Sequence, residues 1–153
     1  MLEYCHMSKI LSINKKASFD YEFIKKYEVG LVLLGNEVKS IKTRKASLKG
    51  AFVNIYQNEL FLVNCNIPYY QNHSFIKYEN SRNRKLLIHR KELDSLINHK
   101  SSGLTIIPIK LYLKRGLIKL EIALAKGKKS FDKRHSIRER EESRDIKRSL
   151  KNN

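Results

Sequence analysis

The chain has 153 residues, with 32 Lys or Arg against 15 Asp or Glu and a formal charge of +17 at pH 7. That length supports one buried core and leaves little for a second, and a composition of 41 % apolar and 9 % aromatic residues is enough to build it. A surface this cationic repels itself unless a polyanion covers it, which points to nucleic acid or an acidic membrane surface; no apolar run approaches the roughly 18 residues of a membrane-spanning helix, and no leader pattern opens the chain, so a cytoplasmic protein is expected.

Residues 1–8 are set aside as an extension without fixed structure, since Met7 is a second plausible start. From there to residue 125, short runs of Val, Ile, Leu, Tyr and Phe alternate with turn residues, the pattern of an antiparallel sheet or small barrel. Residues 21–24 and 27–34 form the first extended stretch, ended by Gly35. Asn36 reads as the cap of a short helix with Val38 and Ile41 on one side, ending near Arg44. Residues 52–56 and 60–67 flank Gln57, Asn58 and Glu59 as a hairpin, and a period of two puts Phe61, Val63, Cys65 and Ile67 on its inward face.

A second helix is expected over residues 89–98, with Leu93, Leu96 and Ile97 as its apolar stripe and Gly103 beyond its end. Next comes the clearest hairpin. Ile109, Leu111 and Leu113 alternate with Lys110, Tyr112 and Lys114, a turn falls at Arg115 and Gly116, and Ile118, Leu120, Ile122 and Leu124 return along the same apolar face. Pro108 has no N–H for a ladder and belongs at an edge or bulge. Several short strands with isolated helices in a basic chain predict a mainly β fold, an oligonucleotide-binding-like antiparallel barrel.

Residues 126–153 differ in kind, holding eleven Lys or Arg and only Phe131, Ile137, Ile146 and Leu150 as large apolar groups. Such a tail buries too little to offset its ordering entropy. Ser136 with Glu139 three residues on is a helix start signal, so the tail is expected to be disordered alone and helical when surrounded by RNA.

No phosphate-cradling Gly-rich loop, metal-binding His pair or nucleophile elbow occurs, and Cys5 and Cys65 read as free thiols, so neither cofactor, metal nor enzymatic activity is expected. A nuclease remains the alternative for Asp20 and Glu37, as does a generic ribosomal or RNA-chaperone protein. The cations cluster instead: Lys15 and Lys16; Lys39, Lys42, Arg44 and Lys45; Arg82, Arg84 and Lys85; Lys126, Lys128 and Lys129. Together they can neutralise many phosphates. Tyr69, Tyr70, Tyr78 and Tyr112 could stack on unpaired bases or pack on the barrel surface.

The segments Asn14-Lys15-Lys16-Ala17, Gly35-Asn36-Glu37-Val38-Lys39-Ser40, Lys45-Ala46-Ser47-Leu48, Arg84-Lys85-Leu86-Leu87-Ile88-His89 and Ala123-Leu124-Ala125-Lys126-Gly127-Lys128-Lys129, then Asp132-Lys133-Arg134, stand in the order and spacing of the SmpB family. From about Ser8 onward the chain resembles SsrA-binding proteins. The resemblance implies the same barrel and a partner, the tRNA-like domain of transfer-messenger RNA, carried by a monomer into stalled ribosomes so that incomplete polypeptides are tagged for degradation. By the same resemblance Glu37, Leu87 and His89 grip the RNA, with Asn14, Lys15, Lys16, Lys39, Arg44, Lys45, Arg84 and Lys85 beside them. Read from its neighbours alone, Glu37 pairs with Lys39 or serves the helix dipole; read as an RNA contact, its replacement should leave thermal unfolding nearly unchanged. In the tail Lys126, Lys128, Lys129, Lys133, Arg134, His135, Ile146 and Leu150 are expected to meet the decoding region and messenger channel of the small subunit. Phe19, Tyr78 and Asn80 depart from residues common in the family, which leaves the fine contacts there open.

Overall fold

The computed structural model describes residues 8–71, 77–100 and 102–129, together with Arg134, Ile137, Arg138, Glu141 and Arg144. Seven strands form one antiparallel sheet in the order β1-β6-β7-β2-β5-β4-β3. β1 (Lys9–Ile13) leads into a single turn of helix, α1 (Ala17–Asp20), and then β2 (Tyr21–Leu31). α2 (Gly35–Lys42) crosses to β3 (Phe52–Tyr56) and β4 (Glu59–Val63); β5 (Arg84–Leu87) and α3 (Arg90–Lys100) precede the long hairpin of β6 (Thr105–Lys114) and β7 (Leu117–Gly127). β3 packs against β6, but no ladder joins β3 to β1, so the oligonucleotide-binding-like sheet is curled and not closed.

Both hairpins turn on two residues with positive φ, Gln57 and Asn58 in one and Arg115 and Gly116 in the other. That geometry matches the right-handed twist of the flanking strands. The core lies between the concave sheet and the two longer helices: Val29, Leu60, Leu62, Leu86, Ile106, Leu111, Leu120, Ile122 and Leu124 from the strands, Ile41 from α2, and Leu93 and Leu96 from α3.

Four expectations change. β2 is a continuous strand whose bulge at Ile24 pushes that side chain out, 54 % exposed, where two separate runs were expected. In the β3–β4 hairpin the inward residues are Leu60 and Leu62, while Phe61 and Val63 lie on the outer face. Asn64 adopts φ 57, and this left-handed residue shifts the alternation so that Cys65 and Ile67 become fully buried beyond the strand's end. The break at Pro108, expected as an edge or bulge, is a bulge in the pairing with β7, and it sends Ile109 to the opposite face from Leu111. There Ile109 joins Ile107, Ala123, Ala125 and Ala17 in a second small core beneath α1. α2 begins at Gly35 with Leu34 as its cap residue, two residues ahead of Asn36, and ends at Lys42.

Candidate nucleic-acid interface

The N-terminus of α2 brings Glu37 into the first turn, where a carboxylate is favoured by the unpaired N–H groups and the helix dipole. Its Oε2 accepts the Leu34 N–H at 2.8 Å. Across the sheet, β5 begins at Arg84, whose Nε donates to Glu37 Oε1 at 2.9 Å; Arg82 Nε donates to the same oxygen at 2.8 Å and its Nη2 to Oε2 at 2.5 Å. The Tyr78 hydroxyl lies 3.0 Å from Oε1 and 2.9 Å from the Ile67 carbonyl, and accepts from Arg84 Nη2 at 3.2 Å. Arg84 also donates to the carbonyls of Cys65, Arg82 and Asn80. Glu37 and Arg84 are both 0 % exposed, whereas the Arg82 side chain remains 29 % exposed.

This arrangement corrects the expectation for two residues. Glu37 and Arg84 lie beneath the surface with their polar atoms occupied, so neither presents a face to an RNA base or phosphate. Lys39 is not the partner of Glu37; its ammonium sits 5.9 Å from the Tyr70 ring centroid. Burial pushes the Glu37 carboxyl up, but Arg82, the Leu34 N–H, the Arg84 charge and Tyr78 together outweigh it and hold the group below its ordinary value. The same residues fasten three chain segments to one another: the α2 start, the stretch around Cys65 and Ile67, and residues 78–84.

The remaining cations are at the surface. Lys15, Lys16, Lys39, Lys42, Arg44, Lys45, Lys126 and Lys129 are exposed. Asn14 holds the Lys15–Lys16 turn in place, its Nδ2 donating to Pro108 O at 3.1 Å and its backbone N–H to Ile109 O at 2.8 Å. Two clefts of about 240 and 490 Å³ share Asn14 and Lys16; the first adds Lys15, Ser47 and Lys49, the second Tyr21 and Phe52. Lys85 is partly engaged by Glu59. Leu87 is 52 % exposed and covers Gly30, where a Cβ would come within 3.3 Å of it, and His89 is exposed just before α3.

Lys128 is a structural root for the tail. Its backbone N–H donates to Asp20 O and its Nζ to Ser18 O, tying the end of β7 to α1. Among the described tail residues Arg134, Ile137, Arg138, Glu141 and Arg144 are helical, and Ile137, Glu141 and Arg144 share a cavity of about 390 Å³ with Lys15, Lys16 and Phe19. Lys133, His135, Ile146 and Leu150 lie outside the described residues. Tyr78 and Tyr112 are not free to stack: the first belongs to the Glu37 network, and the second is 6 % exposed with its hydroxyl donated to Glu28. Among the described residues no group of three His, Cys, Asp or Glu could hold a metal ion, and no helix is long and apolar enough to cross a membrane.

Comparison with known proteins agrees with this architecture. A family model described as SmpB protein matches residues 11–152. The chain is 47 % identical over 147 residues to the SsrA-binding protein of Thermosipho africanus, covering 95 % of this chain and 99 % of that one. It is 46 % identical over 145 residues to the SsrA-binding protein of Fusobacterium nucleatum subsp. nucleatum, covering 94 % and 98 %. Its fold is similar to a chain of the solved structure described as "tmRNA-SmpB: a journey to the center of the bacterial ribosome", with TM-score 0.64, 39 % identity, and coverage of 77 % of this chain and 84 % of that one. An ordered set of motifs, an open seven-stranded sheet and a matching family model over nearly the full length lead to one conclusion: the chain belongs to the SmpB protein family.

Proposed function

We propose that this protein binds transfer-messenger RNA at its tRNA-like domain and carries it into stalled ribosomes, acting as a non-enzymatic RNA-binding adaptor in ribosome rescue. The observation that carries this reading is the likeness, at 39 % identity, to a chain in a structure whose description joins tmRNA, SmpB and the bacterial ribosome. The +17 charge supplies the matching physics, because each phosphate neutralised releases counterions.

Within that function the residues divide by burial. Asn14, Lys15, Lys16, Lys39, Arg44, Lys45, Lys85, Leu87 and His89 are the proposed RNA contacts. Glu37 and Arg84 support the contact surface from below and act as positioning residues. The tail cations Lys126, Lys129, Lys133 and Arg134, with His135, Ile146 and Leu150, are the proposed ribosome contacts in the decoding region and messenger channel, while Lys128 anchors the tail's root. The protein works in the cytoplasm as a monomer, without metal or cofactor.

The test is to recover the protein from cells under gentle conditions and sequence the accompanying RNA. Enrichment of transfer-messenger RNA, with a preference at fixed salt for its tRNA-like domain over other folded RNA of equal length, is the expected result. Equal affinity for both RNAs makes the protein a generic RNA binder, and shortening of the RNA in divalent metal makes it a nuclease; either outcome sinks the reading.

A further inference from the structure

The outer face of β3 and β4 carries side chains that neither the core nor the proposed contacts use. Alternation along β3 turns Val53 inward and leaves Phe52, Asn54 and Tyr56 outward; Phe52 is 45 % and Tyr56 62 % exposed. Register pairs Phe52 with Val63 and Asn54 with Phe61, so the outward residues of both strands form one continuous patch. Successive outward positions on a strand are about 7 Å apart. Between them lies a groove of about 410 Å³ lined by Asn54, Tyr56, Phe61, Val63 and Asn83. Three aromatic rings with two amides on one open sheet face would be a liability in a soluble chain if nothing covered them.

We infer that this face is a stacking platform for unpaired nucleotides of an RNA single strand, with the rings of Phe52, Tyr56 and Phe61 receiving base faces and the amides of Asn54 and Asn83 meeting base edges. Charge selects this occupant. Lys85 and Lys100 stand at the rim, Lys100 Nζ donating to Asn54 Oδ1 at 2.9 Å and Lys85 pairing with Glu59, the one acid among these residues. A second copy of a chain carrying +17 would be repelled from such a face, whereas a polyanion is drawn to it. Continuity with the basic seam points the same way: Phe52 also lines the 490 Å³ cleft shared by Asn14 and Lys16, so a strand whose phosphates follow Lys16 reaches the platform directly. Aromatic faces beside cationic tracks are the general solution for holding single-stranded nucleic acid, because every base offers a π-face.

The proposal rests on the RNA-binding reading above, and its test separates the two. Full-length parent, Phe52→Ala, Tyr56→Ala and the conservative Tyr56→Phe are titrated with a short unstructured oligoribonucleotide carrying one 2-aminopurine, at several salt concentrations. Each alanine variant should weaken binding roughly 5- to 150-fold and abolish the fluorescence quenching that reports stacking. Tyr56→Phe should bind like the parent, and the slope of log affinity against log salt should not change, because the phosphate contacts are untouched. Both rings are at the surface, so circular dichroism should show parental folding. Alanine variants with parental affinity and quenching, or a parent that does not bind the oligoribonucleotide, overturn the platform while leaving the functional reading intact; a parent that also fails to bind the tRNA-like domain in a parallel titration overturns the functional reading itself. Concentration-dependent dimerisation of the parent that Tyr56→Ala removes would assign the face to self-association and likewise overturn the proposal.

Discussion

Replacing Glu37 by Gln tests whether the acid is a support or a contact. The substitution keeps shape and removes charge, so Arg84 is left 0 % exposed beside a neutral amide whose NH2 group competes with the guanidinium donors now aimed at it. Breaking a buried, hydrogen-bonded ion pair from one side costs about 3 to 5 kcal/mol. For a chain of this size, about 2 to 4 °C is lost per kcal/mol, so the melting temperature should fall by roughly 6 to 20 °C. The pH dependence has a definite sign. The folded carboxyl lies below its ordinary value of 4.5, so its stabilisation is fully present above that value and is lost as pH falls through the lowered folded value. Thermal unfolding followed by circular dichroism from pH 7 down to 3 should therefore show parent and Glu37→Gln curves converging at the acid end. Affinity for the tRNA-like domain, measured well below the lowered melting point, should also fall, because residues 78–84 lose their fastening. A variant that melts with the parent at pH 7 yet binds RNA poorly would refute the supporting role and restore Glu37 as a contact.

Arg84→Met should destabilise more than Arg82→Ala, since Arg84 is wholly buried and Arg82 is 29 % exposed and replaceable by water; urea midpoints decide the order, and the reverse order is inconsistent with the network described. Burial pushes the Cys65 thiol up to about 11, so in a Cys5→Ser chain a disulfide reagent at pH 8 should react only as fast as the protein unfolds. Rapid stoichiometric labelling under native conditions would contradict that burial. Truncation after Lys129, which retains the Lys128 anchor on α1, should preserve binding to transfer-messenger RNA and abolish peptide tagging on stalled ribosomes. Parental tagging by the truncated chain would reduce the tail to a solvated charge run.

Local chemistry was legible in the sequence where it acts alone. Arg115-Gly116 marks a turn because both residues take positive φ, and the apolar stripe of α3 reads directly from Leu93 and Leu96. What period-two reasoning could not supply was the phase after an irregular residue. Asn64 shifts the alternation by its left-handed φ, and the bulge after Pro108 shifts it again, so Phe61, Val63 and Ile109 each face away from where an unbroken strand would put them. β1 was missed because a five-residue strand with one buried side chain, Leu11, carries too little pattern. The Glu37 site was hidden for a different reason: its arginine partners lie 45 and 47 residues away, whereas Lys39 is two residues away and looks like the natural partner. An acid in a strongly basic chain has many candidate cations, and only the sheet order, which sets β5 beside β2 and brings Arg84 under α2, selects among them.

That selection explains how a chain with so many mobile surface lysines can present a defined face to RNA. Lysine side chains give affinity without fixing geometry, and their attraction to phosphate extends over a Debye length in every direction. Recognition of one folded RNA needs some of the backbone beneath them to be rigid. In this protein the rigid element is electrostatic as well as apolar: one carboxylate receives donors from two arginines, a backbone N–H and a tyrosine, and those donors come from Leu34, the cap of α2, and from residues 78–84. Tyr78, at a position where the sequence departs from residues common in the family, keeps its place in the network through a hydroxyl that meets Glu37, Arg84 and the Ile67 carbonyl at once. The acid therefore acts from beneath the surface, fixing the first residue of the strand that ends at the exposed Leu87.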